Sequence, residues 1–363
     1  MAASTMRSHS LSPSIDPRSG FCAETKTFYS LRAAIPLPPP SRPLSFPSYS
    51  FSLLPSPLPS HPALIDASTG ETVSYPHLLS QVGSLTANLL THFSISKGDV
   101  ALVLSPTRMD FLVLYMSLLS IGAVVSPVNP ALTPSEISRL IHLSKPCLAF
   151  ATSSTTQKLP SGLNAILLDT PQFKNMLQTT PTNFENMKQI EVLQSDLAVI
   201  QYSSGTTGRV KAAALSHRFF IAMTAGYCAS KPAGPQVTLT TAPTFHSMGF
   251  LRFLKGLALG DTTVVLTRER VTLADMIRAA NRYKVTEMTA APPVVVAMAK
   301  SDDLAREDLL ALETVICGGA PLHVESARRF QERFPHVQLS QWAHSHYLAH
   351  NNKRKQPKSM KAT

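Results

Sequence analysis

Residues Tyr202 to Lys211 read Tyr-Ser-Ser-Gly-Thr-Thr-Gly-Arg-Val-Lys, with four hydroxyl side chains and two glycines packed together ahead of a lysine. Glycine has no Cβ, so the backbone can fold back and bring its N–H groups close to an anion. Ser203, Ser204, Thr206 and Thr207 add short donors, and Lys211 adds a compact positive charge. This is chemistry suited to gripping a polyphosphate. The apolar run Leu197-Ala198-Val199-Ile200 leads into it and reads as a buried strand. An ordinary polar turn uses the same residue types, but not in this order at the end of a strand. A P-loop requires Gly-Lys-Ser/Thr. Here Val210 precedes Lys211 and Ala212 follows it, so that pattern fails at two positions.

The run Ser-Ser-Gly-Thr-Thr-Gly-x-x-Lys resembles the first core motif of the adenylate-forming superfamily, which includes acyl-CoA synthetases, luciferases and adenylation domains. Its surroundings look most like plant 4-coumarate–CoA ligase-like proteins. The resemblance implies that Ser203, Ser204, Gly205, Thr206, Thr207, Gly208 and Lys211 hold the phosphates of ATP. It also implies the reaction: a carboxylic acid, a phenylpropanoid or a fatty acid, is activated with ATP and Mg2+ to acyl-AMP and passed to CoA.

Two further stretches carry the resemblance. The first is Ala242-Pro243-Thr244-Phe245-His246-Ser247-Met248-Gly249-Phe250. Taken alone, His246 reads as a packed core histidine, and no metal-ligating partner stands at ligand spacing. The resemblance places it beside the acyl group as a positioning residue, with Met248 where relatives often carry an aromatic lining residue. The second is Val315-Ile316-Cys317-Gly318-Gly319-Ala320-Pro321-Leu322, a strand closed by two glycines that would let a flat ring lie on bare backbone. By resemblance Gly319 and Gln341 line the acyl and adenine groups, and Arg268 aligns with a basic position associated with CoA. A lone arginine is otherwise a solvated charge.

The likeness runs from about Ile15 to Gln341. The family continues with Gly-Tyr-Gly-x-Thr-Glu, which supplies an adenine-stacking aromatic, a phosphate contact and a magnesium ligand. This chain reads Trp342-Ala343-His344-Ser345-His346-Tyr347 instead. Nothing later resembles the mobile C-terminal lid, and the terminal Ser-Met-Lys-Ala-Thr is not the peroxisomal tripeptide many relatives carry. The expectation is therefore an incomplete adenylate-forming domain, peroxisomal by resemblance and otherwise cytoplasmic. The alternative is a catalytically incompetent chain that binds nucleotide or pairs with a longer relative. His344, His346 and His350 sit in a basic tail without acidic or cysteine partners and read as solvated.

The elements that must position these residues alternate between strand and helix patterns. Ser74 caps a helix with the stripe Leu78, Val82, Leu85 and Leu89; Ala101–Leu104 is a strand, and Phe111–Ile121 a helix closed by Gly122. Strands follow at Ala123–Val125, Leu148–Phe150 and Ala165–Leu168, with a capping box at Thr133-Pro134-Ser135-Glu136. Ala212–Leu215 is expected to extend the strand through the phosphate loop, and His217–Cys228 to be a helix. A turn and strand are read over Leu257–Leu266, a helix capped by Thr272, a strand over Val285–Ala291, a helix after Pro292-Pro293 and one through Ala327, Phe330 and Phe334. The fold class is α/β, layered parallel sheets flanked by helices. Residues 1–62, with ten prolines between Pro36 and Pro62, are expected as an extended arm; residues 63–341 form the partial AMP-binding domain and 342–363 a disordered basic tail.

The formal charge of +11 invites a nucleic-acid partner, but its distribution argues against one. Residues 1–62 carry a net +3 and residues 342–363 a net +5, leaving only +3 for the globular middle. Cys22, Cys147, Cys228 and Cys317 form no Cys-x-x-Cys pair, which suits reduced thiols. The uncharged span Phe111–Ser135 is long enough to cross a bilayer, but Gly122, Pro127, Asn129 and Pro130 interrupt it, so a core helix and a buried strand are expected.

Overall fold

The computed structural model describes residues 14–31, 34–181, 190–203, 210–230, 234–268, 270–301 and 309–342. The chain divides into two units, Met1–Pro38 and Pro39–Thr363. In the first, β1 (Phe21–Cys22) and β2 (Thr27–Phe28) form an antiparallel ribbon. Gly20 at its mouth has φ +75° and no room for a side chain, because a Cβ there would lie 2.1 Å from the carbonyl oxygen of Tyr29.

The second unit opens with α1 (Phe46–Ser52), β3 (Pro62–Asp66), β4 (Thr72–Ser74), α2 (Tyr75–Phe93), β5 (Val100–Leu104), α3 (Phe111–Ile121) and β6 (Val124–Val128). Then come α4 (Pro134–Ser144), β7 (Leu148–Ala151), β8 (Ala165–Leu167), α5 (Pro171–Gln178), β9 (Leu197–Ser203), β10 (Lys211–Ser216) and α6 (His217–Ser230). It continues through β11 (Val237–Thr240), α7 (Ser247–Ala258), β12 (Thr262–Val265), α8 (Leu273–Arg282), β13 (Glu287–Ala290), α9 (Pro292–Lys300), β14 (Thr314–Gly318), α10 (Val324–Arg333) and β15 (Gln338–Trp342).

Two sheets result among the described residues of this unit. One is six-stranded in the order β10-β9-β6-β5-β7-β8, parallel except for β10. The other is seven-stranded in the order β15-β14-β13-β11-β12-β3-β4, parallel except for β4. Strand alternation sends side chains to both faces. On β5, Ala101 and Val103 join the core that also holds α2, α3, α6 and α7, while Leu102 and Leu104 join a second cluster with Ile137 and Leu140 of α4. On β12, Val265 faces that shared core and Val264 a third cluster with α8, α9 and α10. The layers run helix, sheet, helices, sheet, helices. Aromatic contacts knit the central layer: Tyr115 of α3 lies 4.9 Å from Phe250 of α7, which lies 6.1 Å from Phe220 of α6. The expected α/β architecture of parallel sheets flanked by helices is what is found, and no helix among the described residues is long and apolar enough to cross a membrane.

Two local readings are corrected and two helices are added. Residues 39–62 are not simply an extended arm: α1 forms there, capped by Ser45, and Phe46 is fully buried 5.4 Å from Phe220. The prolines stand at the first helical turn or outside the helix, where they cost nothing. Second, β10 does not prolong β9 but pairs back on it antiparallel, because the chain reverses between them. Third, the stretch after His246, to which the sequence analysis assigns no element, is a helix, α7. Fourth, a helix to which the sequence analysis assigns no element, α5, lies between β8 and β9, held by Thr170 as its cap and by Phe173, Met176 and Leu177 on its buried face. The expected tail beyond Trp342, and with it His344, His346 and His350, lies outside the described residues.

Candidate functional site

β9 and β10 are a hairpin whose last register pair is Ser203 opposite Lys211. The hydroxyl-and-glycine segment is the connection between them. Its residues Ser204, Gly205, Thr206, Thr207 and Gly208 lie outside the described residues; Ser203 and Lys211, on either side of its mouth, are both exposed. A parallel strand delivering such a loop at its C-terminal end is the usual place for ligand binding in an open α/β sheet.

The hairpin is fastened along its length. The Tyr202 hydroxyl lies 2.7 Å from Ser126 Oγ on β6, and burial pushes its pKa up. At the base, His217 N–H donates to the Asp196 carbonyl (3.1 Å) and Arg218 N–H to the Gln194 carbonyl (2.7 Å). Asp196 also pairs with Lys97 at 2.8 Å. The His217 ring, fully buried, accepts the Phe46 N–H at Nδ1 (3.0 Å), which ties α1 to the start of α6. Burial pushes the His217 pKa down to about 4, against the pull of Asp196, so the ring is neutral. Nothing in the sequence marks His217 as more than the first residue of a helix.

The other site residues gather at the C-terminal edge of the seven-stranded sheet. His246 follows β11 and is the N-cap of α7, its Nδ1 accepting the Met248 N–H at 3.4 Å. Met248 is buried one residue into the helix. Gly249 is obligatory: a Cβ would lie 2.2 Å from the Pro243 carbonyl oxygen and 2.5 Å from that of Ala242. That close approach tucks the 242–246 turn beneath α7 and so aims His246. Gly319 follows β14 with φ +92° and nothing within 4 Å of where its Cβ would be, a bare backbone position facing open space. Gln341 on β15 stands opposite Cys317 with its side chain exposed. Since β11 and β14 are separated only by β13, the strands that lead to His246 and Gly319 run about 10 Å apart. Burial pushes the Cys317 thiol up to about 11, which keeps it protonated beside this edge.

Arg268 follows β12, on the far side of β11. It is largely exposed and pairs with Asp275 at 3.1 Å. Hydrogen bonds from Thr272 hold the Asp275 carboxyl below the usual carboxylate range, with Arg268 and Arg278 adding to the effect. An exposed pair of this kind is weak and screened by solvent, so Arg268 can be drawn away by a stronger anion. Asp66, buried at the end of β3, accepts from the Thr267 hydroxyl (2.9 Å) and the Ser68 N–H (2.7 Å) and fixes the backbone from which Arg268 projects. Among the described residues no group of three or more His, Cys, Asp or Glu side chains could hold a metal ion.

The family model described as AMP-binding enzyme matches residues 56–343, which takes in the hairpin, the α7 turn, Gly319 and Gln341. The chain belongs to the AMP-binding enzyme family. Within this adenylate-forming group it is 42% identical over 341 residues to 4-coumarate–CoA ligase-like 5 of Oryza sativa subsp. japonica, covering 90% of this chain and 62% of that protein. It is 37% identical over 346 residues to peroxisomal OPC-8:0-CoA ligase 1 of Arabidopsis thaliana, with coverage of 90% and 62%. The chain thus spans about three-fifths of the length of the curated relatives it matches. Among solved structures, a long-chain-fatty-acid-CoA ligase from Archaeoglobus fulgidus superposes with a TM-score of 0.75 at 17% identity, over 86% of this chain and 66% of that one. The N-terminal domain of FACL13 from Mycobacterium tuberculosis gives 0.71 at 19% identity, over 82% and 75%. These two likenesses establish the fold of this AMP-binding enzyme chain.

Proposed function

We propose that the chain carries the acid-activating site of a carboxylate–CoA ligase of the 4-coumarate–CoA ligase-like type. A carboxylate oxygen attacks the α-phosphorus of ATP, pyrophosphate leaves, and acyl-AMP forms. The thiolate of CoA then attacks the acyl carbonyl and AMP departs. Ser203, Ser204, Gly205, Thr206, Thr207 and Gly208 hold the phosphates, and Lys211 offsets the negative charge that builds on them during displacement. His246 orients the acid, Met248, Gly319 and Gln341 line its pocket, and Arg268 meets the phosphates of CoA. Magnesium brought in with the nucleotide would supply further charge neutralisation at the phosphates held by Ser203 to Lys211.

The observation that carries this reading is the pairing of Ser203 with Lys211 across the mouth of the hairpin, in a chain matched over 56–343 by the AMP-binding enzyme model. The test is ATP–pyrophosphate exchange with 4-coumarate and a series of fatty acids. Exchange with at least one acid is expected, falling about 100-fold in Lys211→Ala.

A second reading is favoured by one observation, the run Trp342-Ala343-His344 where relatives carry Gly-Tyr-Gly. It makes this chain a nucleotide-binding or pairing partner without turnover. Nucleotide affinity with no exchange for any acid is its signature. The name of the Arabidopsis relative makes the peroxisome the proposed compartment.

A further inference from the structure

The turn that carries His246 is anchored by backbone at both ends. The His246 N–H donates to the Pro243 carbonyl (3.0 Å), and Gly249 of α7 rests against the Ala242 and Pro243 carbonyl oxygens. Just before the turn, the Thr241 hydroxyl donates to the Thr289 carbonyl at 2.6 Å and ties the end of β11 to β13. Between these anchors stands Thr244. Its side chain is buried, and its hydroxyl oxygen has no aligned hydrogen bond. A buried hydroxyl left in that state costs free energy, and buried polar groups as a rule have a partner.

Helix α3 supplies the group that faces it. Tyr115 is buried, with its ring 4.9 Å from that of Phe250, the residue after Gly249. The ring also stacks on Phe111 at 5.4 Å. Its hydroxyl lies against that of Thr244: burial pushes the Tyr115 pKa up, and the Thr244 hydroxyl opposes the rise. Helix α3 is itself held fast. Arg108 grips the Asp110 carboxylate at 2.9 and 2.7 Å ahead of the first turn. The Ser117 hydroxyl donates to the Val82 carbonyl of α2 at 3.1 Å. Each of the two facing hydroxyls can donate or accept, so the pair can close a bond in either direction.

We infer that Tyr115 is a positioning residue of the acid site: its hydroxyl takes up that of Thr244 and so sets the turn from which His246 meets the acid. This rests on the acid-activating assignment proposed above. The stack on Phe250 and Phe111 places the ring, and the hydroxyl is the part the turn uses. Phenylalanine would fill the same space and leave Thr244 with nothing to bond. Because α3 follows β5 of the six-stranded sheet and the turn follows β11 of the seven-stranded one, the contact also joins the two halves of the site.

The experiment compares the wild type with Tyr115→Phe, Thr244→Val and the double variant, with circular dichroism confirming that each is folded. The first readout is the NMR signal of the His246 ring, picked out by its loss in His246→Gln, and it needs no turnover. The signal is expected to move in each single variant and no further in the double. The second readout is pyrophosphate exchange. The apparent KM for the acid should rise about five- to ten-fold in each single variant, with the KM for ATP unchanged and no extra loss in the double. Thr244→Ser, which keeps the hydroxyl, should restore both readouts. A merely structural role would lower the unfolding midpoints without separating the acid KM from the ATP KM. A His246 signal that neither substitution moves, or effects that add in the double variant, overturns the inference. A wild type without exchange for any acid removes the assignment beneath it, and the His246 signal then still decides whether Tyr115 sets the turn.

Discussion

Gly249 and Gly319 both stand at the sheet edge, but for different physical reasons. At Gly249 the demand is for space, since the nearest atoms to an added Cβ are backbone carbonyl oxygens that cannot swing aside. Gly249→Ala is expected to cost about 2 kcal/mol or more, seen as a lower unfolding midpoint, and to displace His246. At Gly319 the demand is for φ +92° alone, with nothing nearby to clash. Gly319→Ala should cost only about 1 kcal/mol, so a change in adenylate or acyl binding there would not be a folding effect. His217 sets a third expectation. Its folded pKa, about 4, lies below its ordinary value of 6.5, so the unfolded chain binds more protons between those two pH values. The neutral ring therefore contributes stability that is fully present above pH 6.5 and is lost as pH falls toward 4, about 3 kcal/mol in all. Unfolding midpoints measured from pH 7 to pH 4 should fall less steeply in His217→Asn than in the wild type, although that variant starts lower.

The elements most readable in the sequence are those with punctuation. The Thr133–Glu136 capping box starts α4, and the Thr133 hydroxyl and the Glu136 carboxylate bond each other's backbone as the residue types demand. Thr133→Ala should cost about 1 kcal/mol, checked by chemical denaturation. Helix α3 begins at Phe111 and ends at Ile121, with Gly122 left-handed at φ +78°, because glycine is the residue that stops a helix in that conformation. What was hidden has an equally physical cause. In α1, prolines and serines mask Phe46, whose partners on α6 arrive from about 171 residues further on. Phe46→Ala is expected to cost about 3 to 5 kcal/mol, whereas an extended arm would lose nothing. In α7 the residues that matter are buried against β11, β12, α1 and α6, partners that lie far apart in sequence. The antiparallel return of β10 and the order of strands in each sheet are set by long-range pairing, which no local pattern encodes.

At the scale of the molecule, two predominantly parallel sheets share one core of helices, and the candidate residues His246, Arg268, Gly319 and Gln341 stand at the C-terminal ends of parallel strands, whereas Lys211 opens the antiparallel β10. The alternation of strand and helix patterns, with the Ser-Ser-Gly-Thr-Thr-Gly-x-x-Lys run, was enough to read the fold class, and the wide separation in sequence of His246, Gly319 and Gln341 concealed how they share one edge. The chain spans about 62% of its rice relative, so nucleotide binding by this unit is a more direct test than turnover. The decisive measurement is a titration of the wild-type chain and of Lys211→Ala with magnesium ATP, with circular dichroism confirming that both are folded. Saturable binding by the wild type, weakened about 10- to 100-fold by the substitution, is the predicted result. A folded wild-type chain with no affinity for ATP, or an affinity that Lys211→Ala leaves unchanged, would contradict the account.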